Sequence, residues 1–258
     1  MSYSSEELMI CVIARLLDDP SVNHVAVGAA SPIPGSAALL VRHITNGRLR
    51  ASIIHGIANN PFTDGGREIF DCASQGRVDA FFLSGVQIDG GANINLVGTG
   101  DYPKVEKRFP GSFGSAYMYF VVPKVILFAL EHSRRTLVPK VDFISAPGIS
   151  EPGIYRPGGP KALVTELCLM SFNADHRRFK LESVHPGHTL EEVLDNTGFE
   201  FDIPGSVVTT PEPKAEWLHI LNSEIGEQIA EIYPDFVKRV FGGLGVKPLG
   251  NQTNGSFN

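Results

Sequence analysis

Ser4 and Glu7 stand ahead of an apolar series, Leu8, Val12 and Leu16, that recurs at helical spacing. A serine and a glutamate three residues apart can exchange hydrogen bonds with the free amides of a helix start, so the pattern predicts a helix from about residue 5 to 17, ended before Pro20. The period then changes. HVAVGAA at His24 to Ala30 is a short continuous apolar run closed by Ser31, Pro32, Pro34 and Gly35, which predicts a buried strand feeding a turn. Helical spacing resumes from Gly35 to His43. LRASII at Leu49 to Ile54 and DAFFLSGV at Asp79 to Val86 repeat the strand pattern. Runs without alternation are what strands covered on both faces show, and their alternation with helices predicts an α/β architecture on a parallel sheet.

The second half carries more strand character. VVPKVILFAL, VDFISAPG at Val141 to Gly148, ALVTELCLMSF and RRFKLESVH are separated by loops rich in Gly and Pro, a pattern that predicts an antiparallel meander. Two acidic stretches with helical periodicity follow. The first, TLEEVLDNTGF at Thr189 to Phe199, is stopped by Asn196 and Gly198; the second, TPEPKAEWLHILNSEIGEQIAEIY, opens at Thr210 with Pro211 behind it. Both are expected to pack onto the sheet. The segment from Gly242 to Asn258 is rich in Gly and Asn and lacks periodicity, so it is expected to be a flexible tail behind one domain spanning 1–241.

Composition narrows the field. Of 258 residues, 43% are hydrophobic and 19% charged, enough to build a sizeable core. The net charge of −6 comes without any block of like charges, which argues against nucleic acid as a partner. Cys11, Cys72 and Cys168 show no paired spacing, which suits a reducing compartment, with cytoplasm the expectation. The acids before the first apolar stretch are unlike a secretory signal. The most apolar run, Tyr117 to Leu130, is interrupted by Pro123 and Lys124 and falls short of the roughly 20 residues of a membrane span. Common catalytic signatures are missing too. Gly98-Thr99-Gly100 lacks the third glycine of a dinucleotide loop, no serine elbow occurs, and Pro186 and Gly187 keep His185 and His188 from sharing a helix face, so no metal site is expected.

Three glycine-rich loops remain, each after a predicted strand: Ser84 to Asn95, Gly98 to Tyr117, and Ser145 to Gly148. Open α/β sheets bind ligands at such strand ends, where backbone amides are free to face an anionic oxygen. Gly111-Ser112-Phe113-Gly114-Ser115 has the small residues that an oxyanion nest needs, though glycine also marks ordinary turns.

These loops, in order, resemble the beta chain of glutaconate coenzyme A transferase and its relatives, the class I coenzyme A transferases. VAVGAASPIPGSAA is similar to the family's first strand and turn, GVQIDGGANIN to its G-x-Q-I-D segment, and GDYPKVEKRFPGSFGSA to its G-D-Y…R-F-x-G-S-G-G-A loop. LEHSRRTLVPKVDFISAPG and LEEVLDNTGFEFDI match two further stretches. The resemblance implies a three-layer α/β/α sandwich of the ribose-5-phosphate isomerase and CoA-transferase type with a largely parallel sheet. It also implies a homologous alpha subunit in an α2β2 assembly and an acyl-CoA substrate that brings its own coenzyme A, with no other cofactor.

In the family's transferases a glutamate in a V-E-S-G turn attacks the thioester, since a carboxylate can be both nucleophile and leaving group. The matching turn here is Ile53-Ile54-His55-Gly56, so an apolar Ile54 stands where that nucleophile would be. Glu68, Glu106 and Glu131 lie outside the turn, and each is expected to be a surface or ion-paired acid. His55 could act as a base, hydrogen-bond a carbonyl, or be a structural histidine. The family's paired glycines become Phe113-Gly114, which keeps the backbone donors and adds an apolar wall. A subgroup without the glutamate, the beta chains of steroid ring-cleaving hydrolases, fits this departure. It implies ring-opening hydrolysis of a cyclic 3-oxo acyl-CoA by a base on the alpha chain. Phe113 and Gly114 would then supply donors, Ser112 and Ser115 would flank them, Ile54 and His55 would line the pocket, and Gln87, Asn93 and Asn95 would orient the thioester or the alpha chain. Two alternatives stand: a transferase with a relocated nucleophile, and a non-catalytic interaction subunit.

Overall fold

The computed structural model describes residues 3–242, so the expected tail lies outside the described residues from position 243 on. The first helix, α1 (Ser5–Leu17), is capped as its sequence predicts: the Ser4 hydroxyl accepts from the Glu7 amide at 3.1 Å, and the Glu7 carboxylate accepts from the Ser4 amide at 2.9 Å. Glu7 is only 7% exposed, and its second oxygen is satisfied by Asn222 Nδ2 at 2.7 Å. Next come β1 (His24–Val27), α2 (Pro32–Ile44), β2 (Arg50–Ile53), α3 (Gly65–Ser74) and β3 (Ala80–Leu83). Helix α2 begins at Pro32, three residues earlier than expected. A proline fits the first helical turn because amides there have no partner within the helix.

Two small hairpins follow, β4 (Gln87–Ile88) with β5 (Ile94–Asn95) and β6 (Gly98–Thr99) with β7 (Lys107–Arg108). Then come α4 (Ser115–Val121), β8 (Lys124–Ala129), β9 (Pro160–Thr165), β10 (Cys168–Asn173), β11 (Arg178–Val184), α5 (Leu190–Asn196) and β12 (Val208–Thr209). The chain closes on α6 (Ala215–Ile220), a π-helical turn at Leu221–Ile225, α7 (Gly226–Ala230) and α8 (Pro234–Val240). The eight strands of the main sheet run in the order β12-β11-β10-β9-β8-β3-β1-β2. Only β9 with β10 and β10 with β11 are antiparallel; the other pairings are parallel.

The strands alternate their side chains between two cores. Val25, Val27, Ala80, Phe82, Ile126 and Phe128 face α1, α2 and the helices α6 to α8. Ala26, Phe81, Leu83, Val125 and Leu127 face α3, α4 and α5. Helices on both faces of a mostly parallel sheet give the expected three-layer sandwich, and each large side chain withdrawn from water there contributes about 1.5–3 kcal/mol.

Several local expectations change. VDFISAPG is not a strand: only Ala146 bridges Ile94, because the place beside β8 in the sheet is taken by β9. ALVTELCLMSF is two strands, split where Thr165 Oγ1 accepts from the amides of Leu167 and Cys168 at 3.2 and 3.1 Å. Helix α6 starts at Ala215, not beside Pro211, and α3, α4 and α8 had not been expected. Cys11 and Cys168 are buried, with their thiols pushed up to about 12 by burial, whereas Cys72 is half-buried on α3. Among the described residues no helix is long and apolar enough to cross a membrane.

Candidate functional site

Strands β1, β2, β3 and β8 run parallel, so their carboxyl ends meet at one edge of the sheet. The residues just beyond those ends, together with segments 62–66 and 109–115, enclose a cavity of about 870 Å³. This volume falls in the range of small-molecule sites.

One wall is the turn after β2. The Ile54 amide donates to Val27 O at 3.0 Å, and the Gly56 amide returns to Ile53 O at 3.1 Å. His55 between them is held at φ 74°, a left-handed conformation that costs a side-chain-bearing residue roughly 1 kcal/mol. A brace keeps it there. Arg42 of α2 donates to Asn59 Oδ1 and to Gln228 Oε1, both at 2.7 Å, while Asn59 O accepts from the Ile53 amide at 2.8 Å. Glu231 accepts from the Ile57 amide. The turn therefore presents a half-buried Ile54 and an exposed His55 to the cavity.

The facing wall is the loop into α4. Ser112 (φ 81°) and Gly114 (φ 71°) both take the left-handed conformation, and the amides of Ser112, Phe113 and Gly114 donate to no acceptor among the described residues. Backbone of this kind forms a concave set of donors. A Cβ at Gly111 would sit 2.4 Å from Leu96 O, and one at Gly114 would sit 2.3 Å from the Phe70 ring, so close approach demands glycine at both places. Phe113 is 86% exposed, its ring lying beside Gly66 and 5.8 Å from that of Phe70, which in turn meets Tyr117 at 5.4 Å. Ser115 Oγ is the one buried side-chain oxygen or nitrogen without a partner among the described residues.

Ile54, His55, Ser112, Phe113, Gly114 and Ser115 thus line one cavity. Gln87, Asn93 and Asn95 do not. Asn95 Nδ2 donates to Gln87 Oε1 and Gly98 O, Gln87 Nε2 donates to Asp142, and Asn93 bonds Asp89 and the Gly148 amide. Their amides tie loops together outside the cavity lining. Glu68 caps the amides of Thr63 and Asp64, bonds that hold its carboxyl below the usual range. Glu131 pairs with Arg135, which lowers its carboxyl likewise. Of the two histidines weighed as a metal pair, His185 bonds Thr210 and Thr165 O, and His188 bonds Glu192.

Two features escaped sequence reasoning. Seven phenylalanines line the cavity, Phe62, Phe70, Phe81, Phe82 and Phe109 joining Phe113 and Phe128, and they come from segments with no common period. The Arg42-Asn59-Gln228 brace joins three distant segments. The first feature could have been suspected from the 16 phenylalanines; the second left no signal. Chemically, the cavity offers a bulky apolar group a dry wall, a carbonyl or enolate oxygen a set of free amides, and, among the described residues, a single ionisable side chain, His55.

Fold and cleft define a class, the α/β chains with an apolar cavity at the carboxyl ends of a mostly parallel sheet. The chain belongs to the coenzyme A transferase family, whose sequence model, described as Coenzyme A transferase, matches residues 9–196. It is 32% identical over 247 residues to the beta chain of 3-oxoadipate CoA-transferase from Pseudomonas knackmussii, covering 86% of this chain and 93% of that one. It is 28% identical over 159 residues to the cholesterol ring-cleaving hydrolase IpdB subunit of Rhodococcus jostii, covering 60% and 62%. The solved structure of that hydrolase superimposes with a TM-score of 0.75 at 23% identity, covering 86% of this chain and 94% of the other. The decarboxylase AibA/AibB superimposes with a TM-score of 0.74 at 22% identity, covering 93% and 99%. At these identities the structural matches speak for the fold alone, which is that of the family's beta chains.

Proposed function

We propose that this chain is the beta subunit of a hydrolase that opens a carbon ring of a cyclic 3-oxo acyl-CoA in steroid breakdown, working in the cytoplasm with a homologous alpha chain as an α2β2 assembly. The carrying observation is Ile54. The turn that would hold a transferase nucleophile holds an aliphatic side chain, and no carboxylate lines the cavity among the described residues. The seven phenylalanines support a bulky, ring-containing acyl group over a short dicarboxylic one.

Hydrolysis needs no anhydride. A glutamate of the alpha chain would take a proton from water, the hydroxide would add to the ring ketone, and the bond to the carbon beside the thioester would break. Its electron pair would pass to the thioester oxygen as an enolate, held by the amides of Phe113 and Gly114, each such donor being worth about 3 kcal/mol. A second reading, a transferase whose nucleophile comes from the alpha chain, is favoured by the identity to the 3-oxoadipate enzyme.

Hydroxylamine trapping separates them. Incubated with an acyl-CoA donor, the complex should yield no hydroxamate on either chain, while a cyclic 3-oxo acyl-CoA should gain one water and lose its ring. A glutamyl-CoA adduct on either chain would reject the hydrolase reading.

A further inference from the structure

We infer that His55 is the catalytic acid that protonates the carbon set free by ring opening, an assignment that rests on the hydrolase reading. Ring opening leaves a thioester enolate, and the reaction is complete only when its carbon receives a proton. Free amides stabilise the oxygen but cannot be the net source of that proton. Among the described residues His55 is the only cavity-lining side chain of an acid-base type, the others being apolar, hydroxyl or amide groups.

Three observations point the same way. The ring nitrogens of His24, His43, His132, His185 and His188 meet protein partners, whereas those of His55, His176 and His219 meet none among the described residues. Of these three exposed histidines, His55 alone lines the cavity. Its backbone is held left-handed at φ 74° although glycine would fit without cost, so the side chain is kept against a local penalty. Lastly, the turn is clamped from outside by groups that bond each other or the backbone and leave the ring alone. Arg42 holds Asn59 and Gln228, and Glu231 accepts from the Ile57 amide.

The step balances. The alpha chain's base takes one proton from water, and the hydroxide forms the new C–O bond at the ring ketone. The C–C bond breaks and its electron pair enters the enolate. The imidazolium of His55 then gives its N–H proton to the enolate carbon and becomes neutral. The proton held by the base returns through solvent to His55, so nothing but water is consumed.

Chemical rescue tests the assignment. His55→Gly suits the left-handed backbone, so the variant should fold, and imidazole can enter a cavity that His55 meets while exposed. In the complex of the full-length chain with its alpha subunit, on a cyclic 3-oxo acyl-CoA, turnover should fall by about 10²–10⁴-fold, and added imidazole should restore at least tenfold in proportion to its concentration. His55→Gln, which keeps a hydrogen-bonding group but no titratable proton, should be as slow and gain little. Turnover within threefold of the parent in either variant would overturn the assignment, as would a loss that imidazole does not relieve. Failure of the unmodified complex to open any such ring would instead sink the hydrolase reading, and the assignment with it.

Discussion

Gly114 is pinned by two separate demands. Its φ of 71° favours glycine, and an added Cβ would lie 2.3 Å from the Phe70 ring. Gly114→Ala should cost about 2–5 kcal/mol, a backbone term of about 1–2 adding to an overpacking term of about 1–3. In a Phe70→Ala background only the backbone term should survive. Urea melts of the two single variants and the double variant measure this; equal costs in both backgrounds would show that Phe70 is not the obstacle. The glycine at 114 was legible as part of a pattern, but its cause was not, since Phe70 lies 44 positions earlier in the chain. For Gln87, Asn93 and Asn95 residue type alone could not show the loop-to-loop bonds, since an amide looks alike whether it meets a ligand or a neighbouring loop.

The element that aims the site is the turn between β2 and α3, and it is held from behind. Asn59 is buried and accepts from Arg42, whose guanidinium would lose that acceptor if the side chain were cut back. Asn59→Ala should destabilise the protein by about 1 kcal/mol, the cost of removing one acceptor from a half-buried guanidinium that keeps its bond to Gln228. It should also slow turnover more than tenfold by loosening the turn. A drop in melting temperature with full turnover would separate the brace from the chemistry. Elements with a full apolar period, such as α1, or a continuous apolar run, such as β3, could be read from sequence because their burial pattern repeats locally. Helices α3, α4 and α8 could not. They have 10, 7 and 7 residues, and the first two follow or open on glycine, so too few turns exist for a period to stand out. VDFISAPG read as a strand because its residues suit one; whether a strand forms depends on a free neighbour, and β9 occupies that place.

At the scale of the whole molecule, stability should depend on two histidines outside the cavity lining. His132 lies between Thr165 and Thr197, and His185 between Thr210 and the Thr165 carbonyl; burial lowers both from 6.5 to about 4. Unfolded, they bind protons below about 6.5; folded, they resist until about 4. Their stabilising effect is therefore complete above pH 6.5 and lost as the pH falls toward 4, roughly 3 kcal/mol for each. Urea unfolding at pH 7, 5.5 and 4.5 should follow that slope, and His185→Asn, though less stable at pH 7, should show about half of it. A flat profile would mean that the two rings are not neutral in the fold. The sandwich was legible at this scale from strand and helix alternation, while of the phenylalanine lining only the count of 16 was, because packing assembles it from segments that share no local pattern. The three cysteines carry a practical consequence. Two are shut away as un-ionised thiols, and the third, Cys72, sits half-buried two positions from Phe70. A thiol-specific fluorophore would thus find its way to one helix, α3, and leave the two buried thiols unlabelled, so the native chain can be tagged at a single described position without mutation.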